Sequence, residues 1–180
     1  TGTKESGSVG EPLYLDICSA LKDMDIKIYG GRYGLSSKNT TPSDIYGVYK
    51  MLEENPVHNF TIGINDDVTN LSIKPCPINI DSSHKEIQIY GFGSDGMVSA
   101  SKDILKIVHE SLDKYVQGYF QYDSKKSGGV TVSHLRYSDT LVDEPYYVTK
   151  PEITVVTKDI YFRMFDMVDT IKAVSYTHLR

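Results

Sequence analysis

Tryptophan is absent from this chain, cysteine occurs twice, and no apolar run is long enough to span a bilayer. The missing tryptophan excludes nothing by itself. The cysteine shortage excludes more. Cys18 and Cys76 stand far apart, outside any C-x-x-C pattern, so the four-cysteine runs that hold iron–sulfur clusters are not written here. They read as a reduced core thiol and a loop thiol. A basic excess is also lacking: the formal net charge is −5, which argues against general nucleic-acid binding. There is no signal-peptide pattern and no initiator Met, and a chain opening Thr1-Gly2-Thr3-Lys4-Glu5 reads as the inside of a longer protein. Internal repeats and low-complexity stretches are missing. No Ser/His/Asp arrangement or metal-ligand spacing is spelled out.

What remains is ordinary soluble material, 180 residues at 39% hydrophobic and 24% charged, enough for one domain or two small ones. Residues 4–12 form a polar, glycine-bearing loop. A helix is predicted from about Leu13 to Met24, with Leu13, Ile17, Ala20, Leu21 and Met24 on one stripe. Ile26-Lys27-Ile28-Tyr29 alternates like a strand. Residues 30–38 then form a loop whose Arg32 and Lys38 suit an anion, a partner carboxylate or plain solvent. Thr40-Thr41-Pro42 starts a helix with a hydroxyl cap and proline in the first turn. Its apolar face is Ile45, Val48, Tyr49 and Leu52, and Asn55-Pro56 ends it. Phe60–Ile64 is a strand leading to Asp66 and Asp67. Neighbouring carboxylates on extended chain point to opposite faces, so this pair reads as a strand-end turn and not a metal site. Residues 73–85 carry Pro75 and Pro77 and read as a linker, with His84 on it exposed to solvent.

The densest information lies in Glu86–Arg136. An alternating apolar run, Ile87-Gln88-Ile89-Tyr90, meets the turn Gly91-Phe92-Gly93-Ser94-Asp95-Gly96, then a helical pattern from Met97 to about Tyr115. A second extended run, 115–122, ends in Asp123-Ser124-Lys125-Lys126-Ser127-Gly128-Gly129, and a third follows from Val130 to Leu135. Strand, glycine turn, helix, strand, basic loop, strand is the start of a doubly wound α/β sheet, whose ligands sit at the carboxyl ends of its strands. Gly91, Gly93 and Gly96 match G-x-G-x-x-G. A helix start of that kind holds a pyrophosphate through backbone N–H groups, or is simply a tight turn without a ligand. Lys125 and Lys126 between serines and glycines also suit phosphate. Farther on, 146–148 and Ile153–Val156 read as extended, and 161–171 as an amphipathic helix.

The stretches Ile89–Gly96 and Gln117–Arg136 closely resemble pyruvate:ferredoxin (flavodoxin) oxidoreductase, and the resemblance covers about Thr3 to Lys172. It implies an α/β chain of two partial three-layer units with mostly parallel sheets, the second Rossmann-like. Residues 1–74 would be part of the family's second domain, related to the C-terminal domain of transketolases. Residues 75–85 would be a linker. Residues 86–172 would be part of the third, gamma-type domain that the family uses to bind coenzyme A. Residues 173–180 depart abruptly from the family pattern and read as a non-native tail.

For the parent, the resemblance implies a homodimeric, cytoplasmic enzyme of anaerobic metabolism that binds neither nucleic acid nor membrane. It would convert pyruvate and coenzyme A to acetyl-CoA, carbon dioxide and reduced ferredoxin or flavodoxin. Thiamine diphosphate with Mg would make the carbanion, and 4Fe-4S clusters would carry electrons, both bound outside this stretch. The fragment alone would be inactive, with no catalytic or metal residue of its own. Coenzyme A phosphates would lie near Gly93, Ser94, Asp95 and Gly96, and near Lys125, Lys126 and Ser127, with Asp95 acting through its N–H or a capping bond. Met97, Ser99 and Ser101 stand where the family usually has Thr, Gly and Asn.

Two other readings remain beside it. One is an NADP-binding module, with Asp123 as the acidic residue after the second strand. The other is a purely structural or docking segment, in which His134 and Arg136 satisfy buried or interface hydrogen bonds.

Overall fold

The computed structural model describes residues 9–35, 38–65, 68–80, 82–123, 129–167, 170, 172 and 175–178. The chain divides into two compact units, Thr1–Ile80 and Asp81–Arg180. Among the described residues no helix is long and apolar enough to cross a membrane.

The first unit contains α1 (Pro12–Ala20), β1 (Gly31–Arg32), α2 (Pro42–Glu54) and β2 (Phe60–Thr61). Helix α2 starts on its local chemistry. Thr41 caps it, Pro42 occupies its first turn, and Thr41 and Asp44 form a reciprocal capping box with bonds of 3.2 and 2.8 Å. Strands β1 and β2 pair in parallel, Gly31 opposite Phe60. Several expectations fail here. Helix α1 stops a turn early, and its stripe stays outside, Leu13 being 63% exposed. Ile26–Tyr29 is not a strand. The ladder forms instead at Gly31–Arg32, and alternation makes no strand without a partner. Strand β2 ends at Thr61, and two residues on Gly63 takes φ +79°, which turns the chain out of the ladder.

The second unit contains β3 (Lys85–Phe92), α3 (Met97–Leu112), β4 (Tyr115–Tyr122), β5 (Val130–Ser138), β6 (Ile153–Val156), α4 (Tyr161–Met164) and β7 (Ser175–His178). Its sheet runs β4-β5-β3-β6-β7. Strand β5 is antiparallel to both neighbours, whereas β6 is parallel to β3 and β7 to β6. Four strands therefore point one way, with β5 alone reversed. This is the mostly parallel, open α/β sheet read from the sequence. Ser175–His178, within the stretch read as a tail, forms β7 in register with Ile153–Val156.

The two faces differ. On one, Ile89 and Leu135 lie buried beneath α3, which packs on β3, β4 and β5. Bare glycines allow that approach: a Cβ on Gly91 would stand 2.7 Å from the Cβ of Met97, and one on Gly118 2.7 Å from Leu105. On the other face, Tyr90, Val132, Val156, Tyr161 and Met167 form the apolar core, with Phe165 against Tyr90. Helix α4 is a single turn and not the longer helix predicted. Phe165 is already extended (φ −131°, ψ 138°), which lets its ring lie on Tyr90. Tyr146–Val148 is not a strand either; its Tyr146 and Val148 carbonyls accept from the sheet side chains Arg136 and Gln88.

Candidate functional site

Strand β3 leaves through α3 on one face toward β4; β6 leaves through α4 on the opposite face toward β7. Because β3 and β6 are parallel neighbours, their carboxyl ends flank a topological switch point, where open α/β sheets form a crevice. The β3–α3 turn and the β4–β5 connection meet at this same end. Gly93 N–H donates to Gly129 O at 2.9 Å, and Asp123 N–H donates to Val130 O at 3.1 Å. The structure thus sets the glycine turn beside the end of the basic loop. Ser124, Lys125, Lys126, Ser127 and Gly128 themselves lie outside the described residues, as do Asp66 and Asp67.

The turn is sharp. Ser94 has φ +72° and Gly96, the residue before α3, has φ +85°. A serine in the left-handed region costs about 1 kcal/mol or more, so the surrounding bonds must hold it there. Asp95 supplies them. One carboxylate oxygen accepts from Met97 N–H at 2.9 Å, the other from Phe92 N–H at 2.6 Å. Asp95 therefore caps α3 from within the turn and occupies part of the positive helix terminus that the glycine pattern advertises. Gly93, Ser94, Asp95 and Gly96 are together at the switch point, but the donors left for an anion are fewer than the motif suggests. The buried hydroxyl of Thr131 lies 3.0 Å from where a Gly91 Cβ would stand and has no hydrogen-bond partner.

Sequence reasoning passed over the third element of this end. Thr157, just after β6, sends both its N–H and its hydroxyl to Tyr90 O at 3.1 Å, which fixes the β6–α4 turn against β3. Lys158 follows, its Nζ 3.6 Å from the centroid of Phe92. A lone lysine in an unremarkable loop gives no sequence signal. Only the β3–β6 pairing brings it to the glycine turn.

The opposite end holds a second cluster. Glu86, Gln88, His134 and Arg136 share one sheet face beneath residues 139–151. Arg136, 1% exposed, donates through Nε to Glu86 Oε1 at 2.8 Å and lies 2.8 Å from Glu144 Oε2. Its Nη1 donates to Gln117 at 3.3 Å and Tyr146 O at 2.7 Å. Gln88 donates to Val148 O at 3.1 Å, and the Tyr147 ring stacks on His134 at 4.4 Å. These contacts strap 139–151 down. His134 and Arg136 thus satisfy buried hydrogen bonds, as one sequence reading held. His84 corrects its reading: it is buried, with Nε2 3.3 Å from Glu144 Oε1. The linker passes under the strap at that point, and a carboxylate draws the ring in. Burial, reinforced by the Arg136 charge, lowers the His134 pKa to about 4, so this ring is neutral at pH 7. Burial, then the bond to Glu144, raises Tyr146 to about 12. Such shifts mark functional sites and structural networks alike; here Arg136, Gln88 and His134 are bonded into a network, although Arg136 Nη2, Glu144 Oε2 and His84 Nδ1 are buried without a hydrogen-bond partner among the described residues.

No group of three or more His, Cys, Asp or Glu able to hold a metal ion occurs among the described residues. The family described as "Pyruvate ferredoxin/flavodoxin oxidoreductase" matches residues 86–176. The pyruvate-flavodoxin oxidoreductase of Enterobacter agglomerans is 42% identical over 94% of this chain, which covers 15% of that protein. The pyruvate:ferredoxin oxidoreductase of Moorella thermoacetica has the same identity and coverage, 42%, 94% and 15%. A pyruvate dehydrogenase [NADP(+)] of Cryptosporidium parvum is 44% identical over 94% of this chain and is covered over 9% of its length. The chain thus spans only a small part of each relative.

Proposed function

The chain belongs to the pyruvate ferredoxin/flavodoxin oxidoreductase family, and from that premise we propose that it is an internal piece of an enzyme that oxidatively decarboxylates pyruvate. The parent would take coenzyme A and give acetyl-CoA, carbon dioxide and reduced ferredoxin or flavodoxin. Thiamine diphosphate and iron–sulfur clusters, bound elsewhere in the parent, would supply the carbanion and electron chemistry. Residues 1–180 would serve the coenzyme A half of the reaction. Within them, 1–74 would be transketolase-like scaffold and 86–172 the coenzyme A-binding part.

The observation that carries this reading is the Gly93–Gly129 hydrogen bond, which makes the glycine turn and the end of the basic loop neighbours at the sheet's carboxyl edge. In our proposal Gly93, Ser94 and Gly96 let the phosphates approach the backbone. Asp95 holds the turn in shape, and Lys125, Lys126 and Ser127 counter the charge. The chain's role is binding and orientation of the thiol carrier, with no proton or electron step of its own. The NADP-module reading gains no support, because the relatives match across both units as pyruvate oxidoreductases.

The test is made in the intact parent. A K125A/K126A variant should raise the coenzyme A requirement by roughly tenfold or more, each charged contact contributing on the order of 1–2 kcal/mol. Formation of the pyruvate-derived intermediate, before acyl transfer, should survive. If that intermediate is lost while the coenzyme A dependence is unchanged, the two lysines serve domain packing and the site assignment fails.

A further inference from the structure

The glycine turn is less electropositive than its motif advertises, since the Asp95 carboxylate takes the N–H groups of Met97 and Phe92. An anion at the switch point therefore needs a cation from another element. The β6–α4 turn supplies one. Thr157 anchors that turn to the β3 carbonyl at Tyr90 by two bonds of 3.1 Å. Lys158 then sets its ammonium 3.6 Å from the centroid of Phe92, the last residue of β3. A cation over an aromatic face is held without losing its charge, so its long side chain is oriented before any ligand arrives. Lys158 is exposed to solvent and makes no salt bridge with a described carboxylate. Its charge is thus not already neutralised.

We propose that Lys158 is a phosphate-binding residue of the switch-point crevice, held over Phe92 and closing on the nucleotide end of the co-substrate from the β6 side. This rests on the coenzyme A reading above and extends it to an element that neither the glycine motif nor the basic loop includes. Lysine acts here as a point charge, with Phe92 as its rest. A phosphate entering between the β3–α3 and β6–α4 turns would meet backbone N–H on one side and this ammonium on the other.

In the intact parent, K158A and K158R are compared with wild type, using coenzyme A and 3′-dephospho-coenzyme A as probes. K158A should raise the KM for coenzyme A about tenfold while the KM for pyruvate and the formation of the pyruvate-derived intermediate hold. K158R should restore most of the affinity. The penalty should shrink with 3′-dephospho-coenzyme A if the 3′-phosphate is the contact, and persist if the diphosphate is. An unchanged coenzyme A KM in K158A, while K125A/K126A raises it, overturns this proposal and leaves the wider reading standing. If neither variant moves the coenzyme A KM, the reading itself falls. Loss of the pyruvate-derived intermediate in K158A would show a packing role and also overturns the proposal. Because Lys158 is exposed, its replacement leaves the core intact, and intermediate formation reports folding in the same sample.

Discussion

The second unit closes a five-stranded sheet over an apolar core on one face and seals a charged seam under a strap. The first unit, among its described residues, buries a single large apolar side chain, Ile62 at 3% exposure, while Leu13, Met24 and Tyr49 lie 60% or more exposed. One chain thus holds two kinds of order. Helix α2 in the first unit stands on local chemistry, a hydroxyl cap and a proline. In the second unit, Glu86, His134 and Arg136 are placed by residues 10–50 positions away. Local order survives without a large core but contributes little stability. Long-range order contributes more and fails more sharply when one partner is removed, because a buried charge left alone cannot be rehydrated.

The strongest way to break this comparison is R136M. It removes the cation that Glu86 and Glu144 share, leaving Glu86 only the half-exposed Lys172 at 3.6 Å, and removing one partner of a buried pair costs about 3–5 kcal/mol. Denaturant unfolding of the chain should show that loss in the second unit, and adding E86Q should recover part of it. A loss below about 1 kcal/mol would mean the seam is not what separates the two units.

A smaller effect is expected from pH. The His134 pKa is about 4 when folded, against an ordinary 6.5, so the unfolded chain takes up the proton first. The stability from a neutral His134 is therefore full above pH 6.5. It drains as pH falls toward 4, by up to about 3 kcal/mol. Unfolding midpoints of the second unit should fall across that window, and H134Q should flatten the profile relative to wild type. An unchanged slope in H134Q would assign the acid sensitivity to the carboxylates instead.

The smallest expected effect sharpens the contrast from the other side. T41A removes the cap of α2, which is worth about 1 kcal/mol. Helical circular dichroism should show α2 fraying with the second unit's unfolding unchanged. A loss as large as that of R136M would show that the first unit has a cooperative core after all.

The sequence alone carried the family, the α/β class and the elements whose signals are local or long. The capping residues placed the start of α2, β4 (115–122) and β6 (153–156) were read with their observed bounds, and the glycine turn was read between β3 and α3. It also grouped Gly93, Ser94, Asp95 and Gly96, because they are consecutive. The tertiary structure decided the rest. Strand β5 inserts reversed between β3 and β4, and Ile26–Tyr29 finds no ladder. The segment at 146–148, read as extended, becomes part of a strap, and His84 goes under it. Above all, the β3–β6 pairing carries Lys158 to the glycine turn from 62 positions beyond Gly96 (158 − 96). The physical reason is common to these cases. A cap or a turn is satisfied by atoms a few residues away, so its signal is written locally. A strand, a buried charge or a crevice is satisfied only by hydrogen bonds and packing from distant chain, and no window of sequence contains both partners.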